Sequence, residues 1–212
     1  MIKLTKLVQP AILEKNGQKW AQELIKMISE GRDPTSYQLG HYRHPEIKDT
    51  LKRETHEKCA YCESKHLHVS FGDVEHIVPK ATRPDLRFEW DNLTLACTSC
   101  NNRKGENEGF VDPYRDDIDQ HVSFVGPMLF GRPGSAKGEI TERLLGLNRV
   151  ELLEKRRERL DNLLNQMRRL EETQDERIRE LLLKTLINSE LEDEREYAAC
   201  ARKFISDMDI AL

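Results

Sequence analysis

The stretch CAYCESKHLHVSFGDVEHIVPKATRPDLRFEWDNLTLACTSCNNRKG, residues 59–105, decides how this chain is read. It opens on Cys59-Ala60-Tyr61-Cys62 and reaches Cys97-Thr98-Ser99-Cys100 after 34 intervening residues. Each C-x-x-C turn presents a pair of thiolates, and two pairs complete a tetrahedral shell around one ion. Four soft sulfurs with no open position suit structural zinc rather than a catalytic metal. Two unrelated turns with buried or redox-active thiols are the competing reading, and the way the pairs bracket one continuous module speaks against it. His66 and His68 follow the first pair closely, but the cysteines already fill the shell, so both histidines are read as solvated or strand-borne. Cys200 stands apart on an apolar helical face and reads as a core cysteine.

Between and just after the cysteine pairs lie Gly72-Asp73-Val74-Glu75-His76-Ile77-Val78-Pro79-Lys80, then Trp90-Asp91-Asn92-Leu93, then Asn101-Asn102-Arg103-Lys104-Gly105. Hydrolysing a phosphodiester needs a nucleophilic water, a cation to take the charge that develops on the phosphate, and in-line geometry. His76 is the natural general base, because an imidazole accepts a proton at neutral pH. Glu75 and Asn101 offer hard oxygens suited to Mg²⁺ or Mn²⁺. Adjacent strand residues point to opposite faces, so Glu75 and His76 share one site only if the strand ends or twists there.

In this order the segments resemble the HNH endonucleases of the ββα-metal type, in the form braced by C-x-x-C pairs. The resemblance implies that Glu75-His76 sits on the first strand, that Asn92 pins the loop carrying the base, and that Asn101 is a metal ligand on the helix. Because Asn101 follows Cys100, the zinc knuckle fixes the start of that helix and supports catalysis from behind. Two departures stand out: Glu75 replaces the usual Asp, and Asn101 replaces a His, which removes a nitrogen ligand and favours Mg²⁺ or Mn²⁺. The structural alternative is a zinc-ribbon binding module in which His76 is a satisfied core histidine and both asparagines cap turns.

Composition narrows the class further. Among 212 residues, 34% are charged and 6% aromatic, which suggests long solvated helices rather than an all-β core. Residues 1–138 carry 20 basic and 20 acidic side chains and residues 139–212 carry 14 and 18, so the deficit of −4 lies in the C-terminal third. Nucleic-acid binding must then rest on a local patch or on a partner. Lys80, Arg83, Arg87, Arg103 and Lys104 against Asp85, Glu89 and Asp91 leave a modest +2 near the site. Lys80, Arg103 and Lys104 are the candidate substrate contacts. With no signal-peptide core and no apolar run of membrane length, a cytoplasmic protein is expected.

The pattern predicts an α+β fold: a zinc-braced ββα-metal module flanked by helices, with a C-terminal helical extension. Residues 1–58 read as a helical segment, with a helix over Ala11–Ile28 and another from Pro45. Residues 59–125 form the nuclease module. Residues 126–138 hold four of the eleven glycines and two of the eight prolines and read as a linker. Residues 139–212 read as helices, with Leu160, Leu163, Met167 and Leu170 at a/d spacing and a last helix from about Glu190 to Asp207.

A narrower resemblance rests on Lys58-Cys59-Ala60-Tyr61-Cys62-Glu63-Ser64, Glu75-His76-x-x-Pro79-Lys80, Glu89-Trp90-Asp91-Asn92-Leu93, Asp112-Pro113-Tyr114 and Leu145-Gly146-Leu147-Asn148. These look like the HNH nuclease subunits of Septu anti-phage systems, which are also found beside some retrons. The resemblance implies a defence effector working with an ABC/SMC-type ATPase, PtuA, and beside a retron with its reverse transcriptase and msDNA. Asp112, Asp117 and His121 are further candidates for the site, with solvated-loop roles equally open. A stand-alone restriction nuclease and a non-catalytic zinc adaptor docking an ATPase onto nucleic acid are the rival functions. The helices after Glu139 are expected either to dock the partner through the Leu160 stripe or to close that stripe on the protein's own core.

Overall fold

The protein is described by a computed structural model over residues 1–208; the last four residues of the expected helical extension lie outside the described residues. The chain begins with helix α1 (Ala11–Ser29), a single turn α2 (Ser36–Leu39) and helix α3 (Pro45–Glu54). α3 starts where Pro45 occupies the first turn and the His44 ring accepts the Glu46 amide, and it buries Ile47 and Leu51 completely. Strands β1 (Asp73–His76) and β2 (Leu93–Ala96) pair antiparallel, with Glu75 opposite Thr94 and His76 opposite Leu93. Helix α4 (Thr98–Lys104) follows β2 directly and packs on β1, completing a ββα unit. Leu13 and Leu24 of α1, Ile47 and Leu51 of α3, and Leu93 and Leu95 of β2 form one apolar cluster, so the N-terminal helices back the small sheet.

A turn α5 (Ile118–His121) leads into a second antiparallel pair, β3 (Val122–Val125) and β4 (Met128–Gly131), and then to helix α6 (Ala136–Leu144). The glycine- and proline-rich segment 126–138 is thus a packed hairpin and helix start rather than a linker. Its glycines answer to close approach: a Cβ on Gly138 would lie 2.0 Å from the His121 carbonyl oxygen, and one on Gly131 2.6 Å from the Glu139 amide. Leu129 of β4 is fully buried, and Asn148 clasps its backbone, accepting from its N–H at 2.9 Å and donating to its carbonyl at 2.6 Å. The Leu145-Gly146-Leu147-Asn148 phrase is therefore the hook that fastens α6 to the hairpin.

Helices α7 (Val150–Glu171), α8 (Glu176–Glu190) and α9 (Ala198–Asp207) complete the described chain. The expected last helix begins at Ala198 rather than Glu190, because Tyr197 takes a left-handed conformation (φ 54°) and its side chain turns into the core. Leu163 and Met167 pack on Ile187, Ala201 and Ile205. The apolar stripe of α7 therefore closes on the protein's own core. A single apolar cluster also joins Cys59, Cys62, Cys97 and Cys100 to Phe124, Leu129, Leu145, Leu147, Leu160 and Cys200, so the helical extension and the cysteine-bearing module share their interior. Arg156, buried from α7, ties them further by donating to the Leu147 and Pro127 carbonyls at 2.8 and 3.2 Å.

Candidate active site

The four cysteines meet in one place. Their sulfurs all lie within 4.8 Å of one another and every one is buried, the only such ligand cluster among the described residues. A tetrahedral ion with bonds of about 2.3 Å places its sulfurs about 3.8 Å apart. Cys62 Sγ and Cys97 Sγ are 3.8 Å apart, so the spacing fits a metal. The Arg149 guanidinium lies 3.9 Å from Cys100 Sγ and offsets the charge of a tetrathiolate. His66 stays out of the cluster, its Nδ1 3.2 Å from the Ser64 carbonyl, and Cys200 is a buried core residue.

From this knuckle α4 runs against β1, and the two periods dictate what meets. Residues 73 and 75 share a strand face and residues 101 and 104 share a helix face. Asn101 Nδ2 donates to Asp73 Oδ2 at 3.0 Å, and Lys104 Nζ lies 3.0 Å from Glu75 Oε1 and donates to the His76 carbonyl at 2.9 Å. With its NH₂ committed to Asp73, Asn101 turns its amide oxygen away as a free acceptor. Burial pushes the Glu75 carboxyl above its usual range and Lys104 opposes that shift. Lys104 is wholly buried; it holds Glu75 and does not face solvent as a phosphate contact would.

His76 ends β1, which lets it and Glu75 line the same cleft despite being neighbours on a strand. Its Nε2 lies 3.0 Å from the Arg87 carbonyl. A carbonyl only accepts, so Nε2 carries the hydrogen and Nδ1 holds the free lone pair. Nδ1 has no protein partner. The ring is buried and meets Tyr42 edge-on at 4.6 Å between centroids. Burial, with Lys80, Arg87 and Lys104 nearby, pushes its pKa down to about 3. The imidazole is thus neutral at pH 7, and Nδ1 is the one nitrogen with a lone pair left uncommitted.

Asn92 shapes the loop after His76. Its Oδ1 accepts the Val78 amide at 2.7 Å, and its Nδ2 donates to the Val78 and Leu86 carbonyls at 3.0 and 3.1 Å. These bonds fold the 77–86 loop back so that the next residue, Arg87, reaches the His76 ring. Asn92 is buried and does not line the cleft.

The cleft encloses about 560 Å³ and is lined by Glu75, His76, Lys80, Arg87, Asn101 and Glu106 among others. Of the expected substrate contacts, Lys80 lies there. Arg103 projects from α4 towards Gly146 instead, where its guanidinium sits 2.9 Å from the position of a Cβ. Asp112, Asp117 and His121 stand outside the cleft: Asp112 accepts the Tyr114 amide at 2.8 Å, Asp117 precedes α5, and His121 Nδ1 is 2.8 Å from Ser135 Oγ. The Asp112-Pro113-Tyr114 phrase is a brace, with the Tyr114 hydroxyl donating to Glu54 at 2.6 Å. Asp73, Tyr42 and the Arg87 carbonyl escaped sequence reasoning. Period-two spacing from Glu75 flags Asp73; no local signal flags the other two.

The HNH endonuclease family matches this chain over residues 59–107, the span of the knuckle, the strands and α4. A Septu protein PtuB of Bacillus thuringiensis is 34% identical over 114 residues, covering 51% of this chain and 44% of the relative. A Septu protein PtuB of Bacillus mycoides (strain KBAB4) is 30% identical over 197 residues, covering 74% of this chain and 66% of the relative. The chain thus spans 44% to 66% of the length of these relatives. It carries an HNH endonuclease domain within an α+β fold and is homologous to the Septu proteins PtuB.

Proposed function

We propose that this chain is a divalent-metal-dependent endonuclease that hydrolyses phosphodiester bonds, acting as the nuclease of a Septu anti-phage system. The observation that carries the reading is the pairing of a neutral His76, its Nδ1 unpartnered, with Glu75 and Asn101 on one cleft. An imidazole nitrogen left without a hydrogen bond costs about 1–3 kcal/mol; His66 Nε2 is unpartnered too, but only His76 stands with two hard oxygen donors on the cleft, an arrangement a zinc adaptor has no use for.

Each residue has a separate task. His76 Nδ1 takes the proton of the attacking water while Arg87 keeps the other nitrogen protonated and the ring in place. Asn92 holds the loop that supplies that carbonyl. Glu75 and the Asn101 amide oxygen would hold Mg²⁺ or Mn²⁺, two hard oxygens with the remaining positions left to water and phosphate. When bound, such an ion would supply positive charge at the phosphate. Lys104 aims Glu75 and opposes the upward shift that burial imposes on its carboxyl, and Cys59, Cys62, Cys97 and Cys100 would hold zinc that fixes the start of α4.

DNA is the proposed substrate, with RNA as the alternative, and the cytoplasm the proposed place of action; among the described residues no helix is long and apolar enough to cross a membrane. The proposed partner is a PtuA-like ABC/SMC-type ATPase. Both relatives bear the Septu name alone, so no retron reverse transcriptase or msDNA enters this proposal. On α8 the side chains of Ile178, Leu181 and Leu182 are 50%, 65% and 41% exposed, an apolar face suited to a partner subunit. Incubating the full chain, alone and with the ATPase, with labelled plasmid, single-stranded DNA and tRNA tests the reading. Strand breaks that need Mg²⁺ or Mn²⁺ are expected; intact substrates in every mixture would refute it.

A further inference from the structure

Three cations without acidic partners gather beside the cleft. The Arg43 guanidinium lies 5.2 Å, the Arg87 guanidinium 5.8 Å and Lys80 Nζ 5.8 Å from the centroid of the Tyr42 ring. That buried ring packs edge-on against His76, so each of the three charges lies within 5.8 Å of the centre of the aromatic that touches the proposed base. Lys104 is answered by Glu75 at 3.0 Å and Arg83 by Asp85 at 2.5 Å. Among the described residues no carboxylate stands in such a pair with Arg43, Lys80 or Arg87. Arg87 donates one Nη to the Leu39 carbonyl at 3.0 Å, and its buried Nε has no partner. Lys80 and Arg87 also line the cleft with Glu75, His76 and Asn101.

Like charges held together repel, and an anion among them relieves the repulsion. The ring offers only weak compensation at these distances. Of the carboxylates lining the cleft, Glu75 is paired with Lys104 and also feels the charge of Lys80, which leaves Glu106 to set against the two arginines. The arrangement suits a bridging phosphate, which brings charge and several acceptor oxygens to one point.

We propose that Arg43, Lys80 and Arg87 form a clamp for a backbone phosphate of the nucleic acid, next to the one being cleaved. The clamp rests on the nuclease reading and adds where the strand is gripped. Arg43 belongs to the N-terminal segment, outside the matched span of 59–107, so that segment contributes to binding as well as to the fold. Arg87 has two functions: its carbonyl orients His76, and its side chain holds substrate.

The test is binding of a labelled single-stranded DNA oligonucleotide by the full chain in a His76→Ala background, followed across a salt titration. Arg43→Gln and Arg87→Gln are each expected to weaken binding roughly tenfold and to lower the slope of log affinity against log salt by about 0.7. Arg83→Gln, whose partner is Asp85, should change neither. Arg43 is exposed, so its replacement carries the test even if Arg87→Gln folds poorly. Unchanged affinity and slope in Arg43→Gln overturn the clamp, whatever the nuclease does. An arginine-dependent slope in a chain that never cuts with Mg²⁺ or Mn²⁺ supports the clamp and removes the nuclease reading.

Discussion

Replacing Lys104 by Met leaves Glu75 as a buried carboxylate with no counter-charge. The side chains are close in length, so the change removes an ammonium and little volume. Glu75 is 5% exposed and Lys104 fully buried, with 3.0 Å between the charges. Breaking such a pair by removing one partner costs about 3–5 kcal/mol, because the remaining charge stays desolvated. The His76 carbonyl also loses its donor, and it belongs to the residue that must be held still. For a chain of this size the expected fall in melting temperature is ~6–20 °C. The sign of the pH dependence follows from Glu75. Its folded pKa is raised, so at pH values just above the ordinary carboxylate range the native state keeps a proton that the unfolded chain has released. Stability therefore falls as pH rises through that window, and Lys104→Met, by removing the opposing cation, makes the fall larger. Urea denaturation between pH 5 and pH 8 with zinc present measures both effects. The double variant Lys104→Met with Glu75→Gln removes both charges and should recover most of the loss, without recovering cleavage. A Lys104→Met protein that melts within about 2 °C of the wild type would refute the reasoning.

Zinc should be found at one ion per chain, and Cys59→Ser or Cys97→Ser should give insoluble or protease-sensitive protein, because metal binding contributes folding free energy; elemental analysis and limited proteolysis check this. Asn92→Ala removes three hydrogen bonds to the 77–86 loop and should lower kcat while leaving metal affinity, read by Mn²⁺ titration, nearly unchanged. The depressed pKa of His76, about 3, means the unfolded chain takes a proton there before the native state does. The His76 contribution to stability is therefore lost as pH falls from about 6.5, opposite in sign to that of Glu75, and His76→Gln should be less destabilised than the wild type by the step from pH 6.5 to pH 5 in urea denaturation.

The two C-x-x-C pairs and the order of Glu75-His76, Asn92 and Asn101 were legible because ligand chemistry fixes residue type and spacing together. The helices over 11–29 and 150–171 were legible from apolar periodicity. Other features depended on contacts distant in sequence. Lys104 read as a substrate contact beside Asn101, and only the antiparallel pairing that brings β1 under α4 reveals it as the buried partner of Glu75. Gly131 and Gly138 looked like punctuation in a linker; they are small because β4 and α6 leave no room for a Cβ. The carbonyl that fixes the His76 tautomer comes from Arg87, a role without any side-chain signature. Arg43 lies 33 residues before His76 in a segment whose pattern signals only helix and turn.

The most direct test compares the wild-type chain with His76→Ala on a labelled nucleic-acid substrate, under single-turnover conditions, with Mg²⁺ or Mn²⁺ and with chelator. The wild type should cut only with the divalent ion, and His76→Ala should lose about 10²–10⁴ in rate while keeping its melting profile, zinc content and substrate affinity. Cleavage by His76→Ala at the wild-type rate would place the general base elsewhere and contradict the account.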